Sequence, residues 1–128
     1  MSGGNYTGAV GERIAQAYLE QKGMQLMAHN VRLAGGEIDL VMRDGKTTVF
    51  CEVKTRTHAA GQQAYLAVDA AKRRRICQAA LAYAQKHRLL DTALRFDVVV
   101  LTGQGERMQI DHIPAAFAFE TRAGSFWR

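Results

Sequence analysis

The spacing of apolar residues along the chain predicts two amphipathic helices. The first runs from Gly8 to Lys22, and Gly23 follows it in the position that commonly ends a helix. The second runs from Val68 to Arg88. Its apolar side carries Ile76, Ala80, Leu81, Tyr83 and Ala84. Each helix therefore has one face suited to covering an apolar surface.

The remaining segments are predicted to be strands and turns. Glu37 to Arg43 alternates polar and apolar residues, and Thr47 to Thr55 is rich in β-branched residues. The Asp44-Gly45 dipeptide between them is a strong hairpin signal. The other extended segments are Met24 to Leu33 before an Ala34-Gly35-Gly36 turn, the apolar run Arg95 to Leu101, and Met108 to Ile113. Residues 57–66 are predicted to form a loop.

The resulting order, α-β-β-β-α-β-β, predicts an α/β (α+β) fold with a single mixed β-sheet flanked by helices. The 128 residues suit one domain over 1–128, with a core at about 8–113. The C-terminal tail, 114–128, has no predicted structure. Phe126 and Trp127 in this tail are interpreted as core or partner contacts, with base stacking as the alternative.

The charge balance adds a preference for a polyanionic partner. The chain has 17 Lys and Arg residues against 12 Asp and Glu residues, a net charge of +5. Nucleic acid or an acidic membrane surface would suit such a chain. Its apolar runs are far shorter than the roughly 20 residues of a membrane helix, and its first residues do not resemble a secretory signal. We therefore predict a cytoplasmic protein that binds no membrane. Cys51 and Cys77 lack metal-ligand spacing, which predicts free thiols and no zinc site.

The predicted hairpin gathers acidic residues on one face. A two-residue Asp44-Gly45 turn would pair Arg43 with Lys46, and therefore Asp39 with Phe50 and Glu37 with Glu52. Asp39 would then lie diagonal to Glu52, roughly 7 Å away, with Lys54 on the same face. Ile38, Leu40 and Met42 would share the opposite, apolar face.

Clustered carboxylates of this kind suit a hard divalent cation. Mg²⁺ typically takes one or two carboxylates together with water and phosphate oxygens. Lys54, two residues after Glu52, could orient an attacking water or stabilise charge on a phosphate. The combination predicts phosphodiester hydrolysis. The alternative is an edge hairpin whose solvated face carries Glu52 and Lys54 only for solubility.

Two further groups of charged residues have both a functional and an ordinary interpretation. Glu12 falls within the small-residue face of the first helix, where a buried carboxylate would need a cation partner. Alternatively, it is a favourable acid in the first helical turn. The basic run Lys72-Arg73-Arg74-Arg75, with Arg56 and Arg32 elsewhere, could contact phosphates, or it could be a solvated surface.

Several of these motifs together resemble a known family. They are Gly11-Glu12, Asn30-Val31-Arg32, Gly36-Glu37-Ile38-Asp39-Leu40-Val41, Phe50-Cys51-Glu52-Val53-Lys54-Thr55-Arg56 and Arg95-Phe96-Asp97-Val98-Val99. This set resembles the YraN family of small bacterial proteins, which is related to archaeal Holliday-junction resolvases within the PD-(D/E)XK nuclease superfamily. The resemblance covers about residues 8–113. Ile38 departs from the superfamily pattern, which has proline at that position.

The resemblance implies a restriction-endonuclease-like fold and cleavage of nucleic acid that depends on Mg²⁺ or Mn²⁺. Asp39 and Glu52 match the metal-binding acids, Lys54 matches the catalytic lysine, and Glu12 matches a helix-borne catalytic glutamate. The backbone carbonyl of Val53 is also expected to face the metal. Whether Glu12 and Glu37 add to the metal ligands is left open. A homodimer is implied because resolvase-like enzymes make paired cuts.

Three functions follow from these observations. The first is a metal-dependent endonuclease for branched or structured DNA, in the manner of a Holliday-junction resolvase. The second is a non-catalytic nucleic-acid-binding module on the same fold. The third is an adaptor that docks a partner through the residues after Pro114.

Overall fold

Helices and strands follow one another along the chain in the order that the apolar pattern predicts. The computed structural model describes residues 8–56, 70–103, 105–118, 120–121 and 124–125. Their elements are α1 (Gly8–Gln21), β1 (Gln25–Leu33), β2 (Gly36–Asp44), β3 (Thr47–Arg56), α2 (Ala70–Lys86), β4 (Leu94–Thr102), a 3₁₀ turn (Gly105–Arg107), β5 (Gln109–Phe117), β6 (Glu120–Thr121) and β7 (Gly124–Ser125). The predicted loop at 57–66, Val68 and the aromatic residues Phe126 and Trp127 lie outside this description.

The five longer strands form one mixed sheet in the order β1-β2-β3-β4-β5. β1, β2 and β3 are antiparallel neighbours, β3 and β4 are parallel, and β4 and β5 are antiparallel. A parallel pair needs a long crossover connection, and α2 lies between β3 and β4 in the chain. The predicted α+β class and the order α-β-β-β-α-β-β are confirmed. β6 and β7 add a separate two-stranded pair.

Each face of the sheet carries one helix and one apolar cluster. On one face, α1 buries Ala15 and Leu19 against Leu40, Met42 and other strand residues. On the other, α2 buries its predicted apolar side against the sheet. This second cluster contains Ile38, Val41, Phe50, Ile76, Cys77, Ala79, Ala80, Tyr83 and Phe96. Because β3 and β4 supply residues to both clusters, they are covered on both faces, as the apolar run of β4 predicts.

The predicted register of the β2–β3 hairpin is wrong by two residues. Asp44 pairs with Thr47 and Arg43 with Thr48, so the loop consists of Gly45 and Lys46 rather than Asp44 and Gly45. Gly45 has φ +63° at the first loop position, which is where a type II′ turn requires glycine. Because the shift is even, it does not by itself turn any side chain to the other face of the hairpin.

The prediction that Ile38 shares a face with Leu40 and Met42 is also wrong. Ile38 packs in the α2 cluster, whereas Leu40 and Met42 pack in the α1 cluster. The alternation breaks at Asp39. In β1, Asn30 lies between the paired positions His29↔Leu40 and Val31↔Ile38 and has a φ of 50°. This left-handed residue thus lies in the neighbouring strand at the level where the alternation of β2 breaks.

The last long strand extends four residues beyond its predicted end at Ile113. β5 is an edge strand, where Pro114 can be accommodated because a missing N–H disrupts no inner ladder. Phe117, its last residue, stacks on Phe96 with a centroid distance of 4.7 Å. The start of the predicted tail is thus part of the sheet, which removes residues 114–117 as a free docking segment.

Two simpler predictions concern the thiols and the membrane. Cys51 and Cys77 are buried free cysteines, as predicted. Burial is the main reason that the pKa of Cys51 is raised well above its ordinary value. In the parts of the chain that the structure describes, neither helix is long and apolar enough to cross a bilayer.

A candidate active site where two strands separate

A cleft opens at the point where β2 and β3 separate. The pairing of these strands ends at Leu40↔Cys51, while β2 continues to pair with β1 as far as Leu33↔Gly36. The cleft has a volume of about 930 Å³. It is lined by Gly8, Glu12, Arg32, Leu33, Ala34, Gly35, Gly36, Glu37, Asp39, Glu52, Val53, Thr55, Lys72, Arg75 and Ile76. Three of the predicted acids from the hairpin, and Glu12 from α1, therefore line one cavity.

Asp39 holds the two strands together at the mouth of this separation. Its Oδ2 accepts a hydrogen bond of 2.8 Å from the backbone N–H of Val53. The carboxylate thus satisfies a β3 amide beyond the last β2–β3 backbone pair. Burial and the neighbouring Glu52 carboxylate raise the pKa of Asp39 to about 7, although the Val53 hydrogen bond acts in the opposite direction. Near neutral pH this group is divided between its acid and carboxylate forms.

Glu12 reaches the cleft from α1 and contacts Asp39. Burial is the main cause of its raised pKa, and a hydrogen bond with Asp39 partly offsets the effect. Such a bond between two carboxyl groups requires a proton on one of them. Glu37 also lines the cleft, but its side chain is 51% exposed and lies 3.8 Å from the Arg32 guanidinium. Of these two acids, Glu12 is the one directly bonded to Asp39.

Glu52 lies deeper and has a cation partner that its sequence spacing did not predict. Its side chain is only 7% exposed, and its Oε2 lies 2.5 Å from the Nζ of Lys72 on α2. Burial lowers the pKa of Lys72, but the bond to Glu52 outweighs this effect, so the net shift is upward. Lys72 was predicted as a phosphate contact. In this structure it forms an ion pair with Glu52, a predicted metal ligand, and the phosphate contact stays a prediction.

Lys54 joins the same group of charges. Its amino group lies within hydrogen-bonding reach of the Lys72 amino group, and it also feels the charges of Glu52 and Asp39. Burial, followed by repulsion from Lys72, lowers the pKa of Lys54. A lysine with a lowered pKa can exchange a proton more readily than an exposed one. The predicted catalytic lysine is thus influenced by the charges of both predicted metal-binding acids, although it is not among the residues that line the cleft.

Two glycines allow the helices to approach the strands that form the cleft. A Cβ on Gly36 would overlap the backbone carbonyl of Arg75 in α2. A Cβ on Gly11 in α1 would lie 2.7 Å from the Cγ2 of Thr55 in β3. Both distances are too short for real atoms, so a side chain at either position would force its neighbour to shift. These contacts fix α1 and α2 on either side of the separated strands.

The predicted phosphate-binding residues are spread around the cleft. Arg32 and Arg75 line it, and the Arg32 side chain is 78% exposed. Arg56 is half-buried, and its Nε is a buried nitrogen without a hydrogen-bond partner among the described residues. Arg73 and Arg74 are not among the residues that line the cleft. The basic run is thus divided: Lys72 and Arg75 line the cleft, whereas Arg73 and Arg74 do not.

The acids fit an open cation site rather than a closed one. Within the described ranges, no three His, Cys, Asp or Glu side chains form a ready-made metal-binding group. Mg²⁺ does not require such a cage, because it usually binds through one or two carboxylates, water and substrate phosphate. Asp39 and Glu52, with Val53 also lining the cleft, provide that kind of donor set. The residues present fit Mg²⁺ or Mn²⁺ in this respect.

A second buried charge network was missed from the sequence. Asp97 lies fully buried in the middle of β4, the strand that reads as an apolar run. It accepts hydrogen bonds from Arg95, from the backbone N–H of Ala115, and it bonds to His112 at 2.7 Å. Burial alone would raise the pKa of Asp97, but these bonds outweigh it and lower the pKa. The alternating Arg95-x-Asp97 pair was the available signal, since a charge inside an apolar strand needs a partner.

Comparison with known proteins gives a consistent result. The model of "Uncharacterised protein family UPF0102" matches residues 11–101. A UPF0102 protein of Geobacter metallireducens is 49% identical over 110 residues, covering 86% of this chain and 90% of that protein. One from Alkalilimnicola ehrlichii is 47% identical over 104 residues, covering 80% and 81%. One from Geobacter sulfurreducens is 45% identical over 111 residues, covering 86% and 87%. The matched region runs from the start of α1 to the end of β4 and includes every acid of the cleft.

Proposed function

The chain belongs to the uncharacterised protein family UPF0102, and we propose that it is a divalent-cation-dependent endonuclease acting on branched or structured DNA. The observation that carries the proposal is the convergence of Glu12, Asp39 and Glu52 in the cleft where β2 and β3 separate, with the Lys54 amino group within the electrostatic influence of Glu52 and Asp39. The resemblance to the YraN family and to PD-(D/E)XK nucleases, including Holliday-junction resolvases, supports the same chemistry.

In this proposal the acids and the lysine have separate tasks. Asp39 and Glu52 would hold Mg²⁺ or Mn²⁺ with the Val53 carbonyl, and the cation, when bound, would supply positive charge for the scissile phosphate. Glu12 shares a proton with Asp39 and keeps that carboxylate oriented. Lys54 donates hydrogen bonds to the phosphate or to the attacking water. Arg32, Arg56 and Arg73–Arg75 contribute charge along the DNA backbone.

The sharpest test compares cleavage by the wild-type chain with cleavage by two acid variants. We expect Asp39→Ala and Glu52→Ala each to reduce Mn²⁺-dependent cleavage by at least about 100-fold, because each removes a charge from the reacting centre. The substrates are labelled linear duplex, flap, four-way junction, single strand and RNA, with Mg²⁺ or Mn²⁺. The mass of the complex between the protein and the four-way junction also tests the homodimer that the resemblance implies.

Glu20→Ala is the matched control, since Glu20 is an exposed glutamate on α1 whose side chain bonds to Gln16. This variant should cleave at the wild-type rate. Thermal unfolding checks that each variant is folded. Cleavage that persists in folded Asp39→Ala and Glu52→Ala preparations would contradict the nuclease proposal.

A non-catalytic nucleic-acid-binding module is the second candidate. It is favoured by the Lys72–Glu52 ion pair, since a permanent pair would remove one acid from cation binding. This candidate expects DNA binding without cleavage under every divalent cation. The same substrate panel therefore separates the two functions.

A further inference from the structure

Lys72 and a divalent cation require the same carboxylate. The Nζ of Lys72 lies 2.5 Å from Glu52 Oε2, so the ammonium occupies a position that a cation bound to this oxygen would otherwise take. Glu52 is only 7% exposed, so a second approach to this oxygen from solvent is limited. The ion pair and cation binding at Glu52 are therefore competing states of one site.

The two partners differ in their freedom to leave. Lys72 is the third residue of α2, and its side chain is 43% exposed. Its four-carbon chain can move the ammonium into the cleft while the helix stays in place. Glu52 is held in β3, which pairs with β2 and with β4. When the ion pair breaks, Lys72 is therefore the residue that moves.

A third charge favours this movement. Lys54 already lies beside Lys72, so two ammonium groups share the charges of Glu52 and Asp39. A divalent cation entering this group would repel both lysines. Lys72 lines the same cleft as Arg32 and Arg75, where a phosphate would be expected.

We propose that Lys72 is a tethered cation that occupies Glu52 when no divalent cation is bound, and that moves from Glu52 to a DNA phosphate when one binds. This inference rests on the proposed nuclease function and deepens it by coupling cation binding to phosphate binding. Lys72 acts as a positioning residue before the cation binds and as a phosphate ligand afterwards.

Mn²⁺ binding measured by electron paramagnetic resonance, without DNA, tests the competition directly. Lys72→Gln removes the competing charge and should tighten Mn²⁺ binding about three- to tenfold. Lys72→Arg should weaken Mn²⁺ binding by a similar factor, because a guanidinium can bind a carboxylate through two hydrogen bonds. The expected order of affinity is Lys72→Gln, wild type, Lys72→Arg. Since Lys72→Arg retains a partner for buried Glu52, this comparison stands even when Lys72→Gln fails to fold.

Lys86→Gln is the matched control for removal of one positive charge from α2, since Lys86 is exposed at the C-terminal end of this helix. It should leave Mn²⁺ affinity within about twofold of the wild type. A second readout is the affinity for uncleaved four-way junction DNA in Ca²⁺, which Lys72→Gln should weaken although it binds Mn²⁺ more tightly.

The outcomes separate this inference from the function on which it rests. Equal Mn²⁺ affinities in the wild type and both Lys72 variants would overturn the tethered-cation role and leave the nuclease proposal standing. A wild-type chain that binds no Mn²⁺ at millimolar concentration would overturn both. A change in Mn²⁺ affinity in Lys86→Gln equal to that in Lys72→Gln would reduce the effect to general electrostatics and would also overturn the inference.

Discussion

Asp39 combines a structural and a chemical task in one carboxyl group. It bonds to the Val53 amide where the β2–β3 ladder ends, and it lies among Glu12, Glu37 and Glu52. The first contact stabilises the strands, whereas the neighbouring negative charges oppose ionisation. A residue selected for stability alone would keep the hydrogen bond and lose the charge.

Replacement of Asp39 by asparagine should therefore stabilise the cation-free chain at pH 8.5. Asparagine retains a carbonyl oxygen for the Val53 N–H and removes the repulsion. The folded-state pKa of Asp39, about 7, exceeds the ordinary value of 3.8. The protonated carboxyl therefore stabilises the folded chain fully below about pH 4, and this stabilisation is lost as the pH rises through 7. The shift converts to an upper bound of about 4 kcal/mol, which partial solvent exposure reduces to about 2 kcal/mol.

Urea unfolding of the wild type and Asp39→Asn across pH 4 to 8.5, without divalent cations, measures this effect. The difference in unfolding free energy should shrink steadily toward pH 4. A constant difference at every pH would show that ionisation of Asp39 is not its source.

At the scale of elements, the close approach of α1 to β3 controls how the cleft is walled. Alanine normally stabilises a helix interior by about 1 kcal/mol relative to glycine. At position 11 we expect the opposite sign, a loss of about 1 kcal/mol, because the added Cβ would meet Thr55 Cγ2 at 2.7 Å. Combining Gly11→Ala with Thr55→Ser removes that methyl group.

Chemical denaturation of the two single variants and the double variant tests this prediction. In the Thr55→Ser background, Gly11→Ala should be neutral or stabilising. Destabilisation of equal size in both backgrounds would mean that the Thr55 methyl is not the obstacle.

Most elements could be predicted because apolar period and turn residues act locally. Gly23, the helical periods and the order of strands all follow from neighbouring residues. The face change at Ile38 could not be predicted, because the residues of β2 alternate regularly in type and the left-handed Asn30 at the same level lies in another strand. The same limit applies to the site: Asp39 and Glu52 follow from one hairpin, whereas the Lys72–Glu52 pair depends on how α2 packs against the sheet. Contacts between distant elements leave no periodic signal.

For the whole molecule, the net charge of +5 conceals a separation of charge. Acids gather within the cleft, and arginines lie around it. Binding to DNA in this arrangement should be strongly salt-dependent, because each neutralised phosphate releases counterions. The arginines nearest the acids should contribute most.

We expect Arg75→Gln to reduce the slope of log affinity against log salt on duplex DNA by about 0.9, the value for one phosphate contact. Fluorescence anisotropy measures the DNA affinity in Ca²⁺ over a salt series from roughly 50 to 200 mM, a range in which such slopes can be resolved. Arg88→Gln, an exposed position beyond the C-terminal end of α2, is the control and should retain the wild-type slope. An equal decrease of this slope in both variants would show that the cleft is not part of the DNA-binding surface.

The parallel pairing of β3 with β4 also has a consequence for how the molecule assembles. The β2–β3 hairpin can form early from neighbouring residues, whereas pairs such as Thr48↔Leu94 must close a long stretch of chain. Asp39 and Glu52 therefore come together before α2 can bring Lys72 to them. During refolding, the acids should meet first as an uncompensated pair, and the lysine that neutralises them should arrive later, when α2 packs against the sheet.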